Sequence, residues 1–350
     1  MLFYCFGDKI KIMELKKNYK ILAIESSCDE TSCAIVEDGR TVLSCIISSQ
    51  IDIHTLFGGV VPEVASRNHI NAIDNVVKEA VAKANLTFDD IDAIAVTYGA
   101  GLVGCLLVGI SYAKALAYAL NKPLVAVNHI HGHIASNYLT YRDLTPPFLC
   151  LLTSGGHTAI IEVPDYDQHL VVGATLDDAV GESFDKVARV LGLGYPGGPK
   201  VSKMGEQGQA NISFVRSKDN LGYDFSFSGK KTAVINYIHN LEQKHEPIPI
   251  ADICASYEKW VIDDLIEKTL KVAIDKNYKK IVLAGGVSAN KRLRTTMKVE
   301  CEKLGLECYF PEMLYCTDNA AMIGSAGYYQ ILSGRKFSDA TLSPYPNLPL

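Results

Sequence analysis

The feature that most restricts the fold of this 350-residue chain is one strand device that occurs twice, about 127 residues apart. Residues 20–27 (KILAIESS) read as an apolar strand that runs into a polar turn at Cys28-Asp29-Glu30. The chain returns through 31–36, turns at Asp38-Gly39 and runs out again over 41–48. Short apolar runs between turn residues make this a three-stranded meander. The second copy follows Pro146-Pro147, with strand 148–153 (FLCLLT), polar turn Ser154-Gly155-Gly156, return strand 158–163 and third strand 169–174.

After each meander, helices alternate with buried strands. Helices are expected over 62–84, 102–120, 178–191, 250–275 and 318–332, with one more after Ser288 as its cap, and strands over 92–97, 124–127 and 281–284. Such alternation predicts α/β lobes with largely parallel pairing. The expected organisation is a flexible extension (1–19), a first lobe (20–145), a second lobe (146–317) and a tail (334–350), with the helix at 318–333 packing back on the first lobe. Two lobes that open with facing tight turns resemble the actin, hexokinase and heat-shock ATPase (ASKHA) group. That resemblance implies an interlobe cleft in which the two polar turns clamp a nucleotide's phosphates and segment 283–290 holds the adenosine end.

Composition agrees: 48% hydrophobic and 21% charged residues suit a soluble globular chain large enough for two medium domains. No uninterrupted apolar run reaches the roughly 18 residues of a membrane span. The most apolar stretch, 99–120, is broken by Ser111, Tyr112 and Lys114 and reads as a buried helix. Ten cysteines are scattered from Cys5 to Cys316 without a CxxC pair, and residues 1–20 lack a secretory apolar core. Reduced thiols and a cytoplasmic location are expected. The first 19 residues contain no Arg but include Asp8 and Glu14, which argues against a mitochondrial transit peptide, and Met13 is an alternative start. A net charge of −5 gives nucleic-acid binding no overall electrostatic support. Lys230-Lys231, Lys279-Lys280 and Lys291-Arg292-Arg294 are local candidates that read more readily as solvated faces.

Asn128-His129-Ile130-His131-Gly132-His133 follows a strand, and Asn128 is a good helix cap. At i and i+4, His129 and His133 share one helix face, a spacing that lets both imidazoles reach one ion. His131 points elsewhere. A third ligand should be acidic or another His; Asp318 starts a helix after a polar turn, where a helix cap is the competing role. A zinc protease needs H-E-x-x-H, and Ile130 stands where the Glu would be. Consecutive glycines in Ser154-Gly155-Gly156-His157-Thr158 let backbone N–H groups approach phosphate oxygens, although an ordinary hairpin turn has the same composition. Gly285-Gly286 between strand and helix suits a nucleotide contact but is a weak signal alone. Asp178, Glu182 and Asp185 share a helix face that is either a charged surface or a ribose contact. The glycine-dense turn 194–199 is rigid enough to wrap a sugar.

Together these segments resemble the tRNA N6-adenosine threonylcarbamoyltransferase family (TsaD), once described as glycoproteases. The matching stretches are IESSCDETSCAIV (24–36), GGVVPEVASRNHI (58–70), NHIHGH (128–133), TSGGHT (153–158), LDDAVGESFDKVARVLGLGYPGGP (176–199), FSFSGKKTAV (225–234), AGGVSAN (284–290) and CTDNAAMIG (316–324). The resemblance implies transfer of threonylcarbamoyl from threonylcarbamoyl-AMP to the N6 amine of the adenosine beside the anticodon of ANN-decoding tRNAs. It further implies one divalent metal, iron or zinc, on His129, His133 and Asp318. The adenylate would be held by Leu152, Thr153, Ser154, Gly155, Gly156, Asp185, Gly198 and Asn290, with Cys28 and Glu30 near the reacting centre. Partners implied are tRNA, a paralogous TsaB-type subunit and a TsaE-type ATPase, with no membrane. Two positions depart from the family pattern: His131 replaces a usual Glu, and Lys230 a usual Leu. An ATPase or kinase of the same fold would hold Mg²⁺ through carboxylates and water rather than imidazoles; a nucleotide-gated scaffold is the non-catalytic alternative.

Overall fold

Residues 15–214 and 221–349 are described by the computed structural model. Residues 1–14 of the expected extension lie outside them, whereas Leu15 and Tyr19 pack against the core and the Tyr19 N–H donates to Asp38 Oδ1 at 2.8 Å. The repeat becomes two five-stranded sheets of one topology. The first contains β1 (Lys20–Glu25), β2 (Glu30–Glu37), β3 (Thr41–Ser49), β4 (Ala93–Gly99) and β5 (Leu124–Asn128), in the order β3-β2-β1-β4-β5. The second contains β6 (Phe148–Thr153), β7 (Thr158–Asp165), β8 (Gln168–Ala174), β9 (Lys280–Ala284) and β10 (Glu307–Tyr309), in the order β10-β9-β6-β7-β8. In each, the three meander strands pair antiparallel and the two later strands join parallel to the first.

Ten helices accompany the strands among the described residues: α1 (Ile51–Thr55), α2 (Pro62–Lys83), α3 (Val103–Leu120), α4 (His129–Thr140), α5 (Val180–Val190), α6 (Gly197–Gly205), α7 (Ser228–Gln243), α8 (Ile250–Asp275), α9 (Lys291–Leu304) and α10 (Ala320–Leu332). β1 and β6 are apolar on both faces because helices cover both. Along β1, Leu22 and Ile24 face α2 and α3, while Ile21 and Ala23 face α4 and α10. Along β6, Leu149 and Leu151 face the outer helices, while Phe148, Cys150 and Leu152 point inward. The period of two thus builds the same two-sided sheet twice. α4 and α10 lie between the sheets, where Ile130, Ile134, Met322 and Ile323 are essentially fully buried. Each such side chain stabilises by roughly 1.5–3 kcal/mol, against a few tenths for an exposed pair such as Arg67–Glu63.

α4 and α10 approach closely because position 132 is glycine. A Cβ there would sit 2.7 Å from Ile323 Cδ1 and 3.1 Å from Met322 Cγ. α3 is the one described helix long and apolar enough to cross a membrane by length and composition. Its Cys105, Leu106, Ile110 and Ala113 face is buried against the first sheet. The described cysteines are free thiols.

Several local expectations change. Ser288 lies in a short 3₁₀ turn (Gly286–Ala289), and the cap of α9 is Asn290, whose Oδ1 accepts from the Leu293 N–H at 2.9 Å. The 194–199 turn does not remain a loop, because Gly197 begins α6 and Pro199 is tolerated in its first turn. α7 was hidden by its polarity: only Val234 and Ile238 are buried along it. The tail runs along the first lobe, with the Tyr345 N–H donating to the Tyr98 carbonyl at 2.7 Å and Asn128 Nδ2 to the Pro349 carbonyl at 3.1 Å.

Candidate functional site

β5 delivers the chain to Asn128, whose side chain accepts from the Ile130 N–H at 2.8 Å and starts α4. His129 and His133 therefore stand one turn apart, ring centroids 4.6 Å from each other, and both are buried. The competing role for Asp318 is taken by its neighbour: Asn319 caps α10, accepting from the Met322 N–H at 3.0 Å. Asp318 is left to face the histidines, with Oδ1 3.5 Å from His129 Nε2 and 3.2 Å from His133 Nε2. One donor atom from each residue lies within 4.8 Å of the others.

These residues fit a divalent ion. Both ring nitrogens of His133 are buried without a hydrogen-bond partner, so the Asp318 contact has ion-pair distance but not hydrogen-bond geometry. Two imidazoles and a carboxylate form an N/O donor set suited to a transition-metal dication. Electrostatics support the same grouping. Burial alone would lower His129 and raise Asp318. Instead, the charges of Asp318 and Glu25 lift His129 to about 9, and His129 and His133 hold Asp318 down to about 2.

The three residues open into a cleft of ≈ 570 Å³ between the sheets. One wall is the β1–β2 turn (Ser27, Cys28, Asp29) with Gly101; the other is the β6–β7 turn (Ser154, Gly155, Gly156, His157) with Glu182, Asp185, Lys186 and Arg189 of α5. The second turn is closed by Ser154 N–H to the His157 carbonyl at 2.8 Å, and nothing occupies the space where Cβ atoms of Gly155 and Gly156 would be. At Gly181 a Cβ would sit 2.7 Å from the Ser154 carbonyl oxygen, so the N-terminal turn of α5 abuts this loop. Arg189 reaches across the cleft, donating to the Gly58 carbonyl at 2.9 Å.

Not every candidate residue lines this cleft. Leu152 and Thr153 are buried in β6 directly behind the turn. Gly198 lies in the first turn of α6, where Asp185 Oδ1 accepts the neighbouring Gly197 N–H at 2.6 Å. Asn290 Nδ2 donates to Ser202 Oγ at 2.9 Å and Glu258 Oε1 at 2.8 Å. Cys28 faces the cleft, but Glu30 turns aside and accepts from Ser49 Oγ at 3.2 Å. Burial first, then the charges of Asp318 and Asp29, raise the Glu30 carboxyl to about 10. Burial and Asp29 push the Cys28 thiol well up, and burial lowers His157 to about 4. His131 stacks on His169, centroids 3.9 Å apart, away from the ligand trio.

Of the basic candidates, Lys279 and Lys291 are solvated as expected, whereas Lys230, Lys231 and Arg294 are bound. Lys230 pairs with Asp264 and Lys231 with Asp178, both at low exposure. Arg294 donates to the Ser288 and Pro311 carbonyls at 2.6 Å. A recess of ≈ 680 Å³ between α7 and α8 is lined by Phe214, Tyr237 and Trp260 and, among the described residues, contains no metal-ligating trio. Sequence reasoning missed Glu25 and Arg189. Glu25 did carry a signal, an acid at the end of an otherwise apolar strand.

Duplicated sheets around a cleft, each opening with a polar turn, define a two-lobed protein of the ASKHA class. Among solved structures, the chain is similar to HypF from T. kodakarensis (TM-score 0.62, 14% identity, 91% of this chain and 48% of that one). It is also similar to (R)-2-hydroxyglutaryl-CoA dehydratase component A from Acidaminococcus fermentans (TM-score 0.51, 14% identity, 89% of this chain and 98% of that one). At such identities the likeness shows the fold alone. In sequence, the profile of the tRNA N6-adenosine threonylcarbamoyltransferase family (TsaD) matches residues 41–325. The chain is 56% identical over 339 residues to the tRNA N6-adenosine threonylcarbamoyltransferase of Clostridium novyi, covering 96% of this chain and 99% of that protein. It is 57% identical over 334 residues to the protein of the same name in Clostridium perfringens, covering 94% and 98%. The chain belongs to the tRNA N6-adenosine threonylcarbamoyltransferase family.

Proposed function

We propose that this chain transfers the threonylcarbamoyl group of threonylcarbamoyl-AMP to the N6 amine of the adenosine beside the anticodon, position 37, in ANN-decoding tRNAs. The observation that carries this reading is the His129–His133–Asp318 trio in the interlobe cleft of a chain so closely related to named transferases. His129, His133 and Asp318 hold one divalent metal, iron or zinc, which when bound supplies Lewis-acid polarisation of substrate oxygens. The remaining work falls to the protein. Backbone N–H groups at Gly155 and Gly156 receive the phosphate, on a loop that Ser154 closes and the N-terminal turn of α5 abuts. Leu152 and Thr153 set that loop from behind, while Asp185, Gly198 and Asn290 hold the ribose and adenine. Because an aromatic amine is a weak nucleophile, placing it against the carbonyl is the larger part of the task. Cys28 borders the reacting centre. At Glu30, burial and the charges of Asp318 and Asp29 raise the carboxyl, which favours hydrogen-bond donation over proton removal.

Residues 20–145 with α10 form one lobe and 146–317 the other, so the cleft is an interlobe site. With Lys230 and Lys231 already paired, this acidic chain docks tRNA together with a TsaB-type paralogue and a TsaE-type ATPase in the cytoplasm. The test combines purified protein, unmodified tRNA and threonylcarbamoyl-AMP, with and without those partners. Modified adenosine is then measured after nuclease digestion. Product that requires this chain is expected. Nucleotide hydrolysis without any modified adenosine, with all partners present, would turn the reading to an ATPase or scaffold of the same fold.

A further inference from the structure

Glu25 ends β1 with its carboxylate completely buried. A buried anion is costly unless fully hydrogen-bonded, and the partners of this one hold it against His129. Oε1 accepts from the Ser27 N–H at 2.5 Å. Oε2 accepts from Thr97 Oγ1 at 2.7 Å and lies 3.1 Å from His129 Nδ1. Ser27 Oγ is also 3.1 Å from Nδ1, and a hydroxyl there can donate or accept. The carboxylate cannot donate. A bare Nδ1 beside it would set two acceptors 3.1 Å apart, so Nδ1 keeps its proton and Nε2 is the nitrogen free to give its proton up to a metal. Nε2 is the nitrogen that faces Asp318.

We propose that Glu25 is a positioning residue of the metal centre: through Nδ1 it fixes the tautomer and ring orientation of His129, so that Nε2 is presented as the donor. Its negative charge, with that of Asp318, also offsets the charge of a dication. Thr97 from β4 and the Ser27 backbone hold the carboxylate in place, which extends the centre into two strands of the first sheet. This is the arrangement in which a carboxylate behind a ligating histidine tunes the metal site.

The inference rests on the metal reading of the trio, and the test separates the two. Co²⁺ affinity, by chelator competition, and the Co²⁺ absorption spectrum are compared for wild type, E25Q and T97V, alongside thermal melting. Long-range ¹H–¹⁵N NMR of the Zn²⁺-loaded wild type, in which a ligating imidazole keeps a single proton, reads which His129 nitrogen carries it. Expected are an Nδ1-protonated His129 and Co²⁺ binding weakened about 10–100-fold in E25Q. T97V should show a smaller loss of the same sign, with an altered spectrum in E25Q. A melting shift in E25Q with unchanged Co²⁺ affinity and spectrum overturns the role of Glu25 while leaving the metal centre standing. Wild-type His129 protonated on Nε2 does the same, and that measurement does not depend on E25Q folding. Wild type that binds no Co²⁺ overturns both.

Discussion

His129 meets three constraints in one residue: it opens α4 behind the Asn128 cap, stands a turn from His133 and turns its Nε2 to Asp318. Replacing it should therefore act on the metal before it acts on the fold. His129→Ala is expected to lower metal affinity by at least ~100-fold, read as metal per protein after dialysis, with loss of transfer in the tRNA assay. Retained full transfer by metal-stripped His129→Ala would sink the metal role. The opposite outcome is expected at Cys28. Its thiol is pushed up by burial and by Asp29, so it is not a thiolate nucleophile at neutral pH. Cys28→Ser should keep transfer within about threefold; a loss of ~1,000-fold would instead assign the sulfur a covalent role.

At the scale of elements, the site depends on how closely α4 and α10 pack. A larger side chain at Gly132 meets Ile323 Cδ1 and Met322 Cγ and displaces them, which strains the packing of the two helices. Gly132→Val should cost about 1–3 kcal/mol by overpacking and weaken metal binding as well, since His133 and Asp318 ride on the strained pieces. Denaturant melts and metal titration of the same sample check both effects; full stability with intact metal binding would show that the helices have room to spare. Asn319→Ala removes the cap of α10 and is expected to cost about 1 kcal/mol. It also frees the loop carrying Asp318, because Asn319 Nδ2 holds the Thr317 carbonyl at 2.8 Å.

Across the whole molecule, the two lobes meet at the His131–His169 stack, with Asp167 and Arg335 beside it. Burial first, then Arg335, lowers His169 from the ordinary 6.5 to about 4. The unfolded chain takes up this proton below pH 6.5, whereas the folded one resists until about 4. The contribution of neutral His169 to stability is thus complete above pH 6.5 and lost progressively as pH falls from 6.5 to about 4. His169→Phe keeps a ring in the stack and removes the titration. Its melting temperature should decline less steeply than that of wild type across that interval. Parallel declines would show that other groups govern the acid limb.

Local pattern was enough to determine the repeated meander, the apolar period of both central strands, and the i,i+4 histidines after a capping asparagine, because each depends on neighbours within a few residues. The matching stretches also named the family, and Phe148–Thr153 and Ile250–Asp275 form the strand and helix expected of them. Tertiary structure decided what depends on residues far apart in the chain. Asp318 is released from capping only because Asn319 takes that role. Glu25 becomes part of the site only because β1 lies beside β4 and faces α4 across 104 residues of sequence. Lys230, Lys231 and Arg294 look solvated in the sequence but are bound by partners on other elements, since a charge run does not reveal which carboxylates and carbonyls folding brings to it.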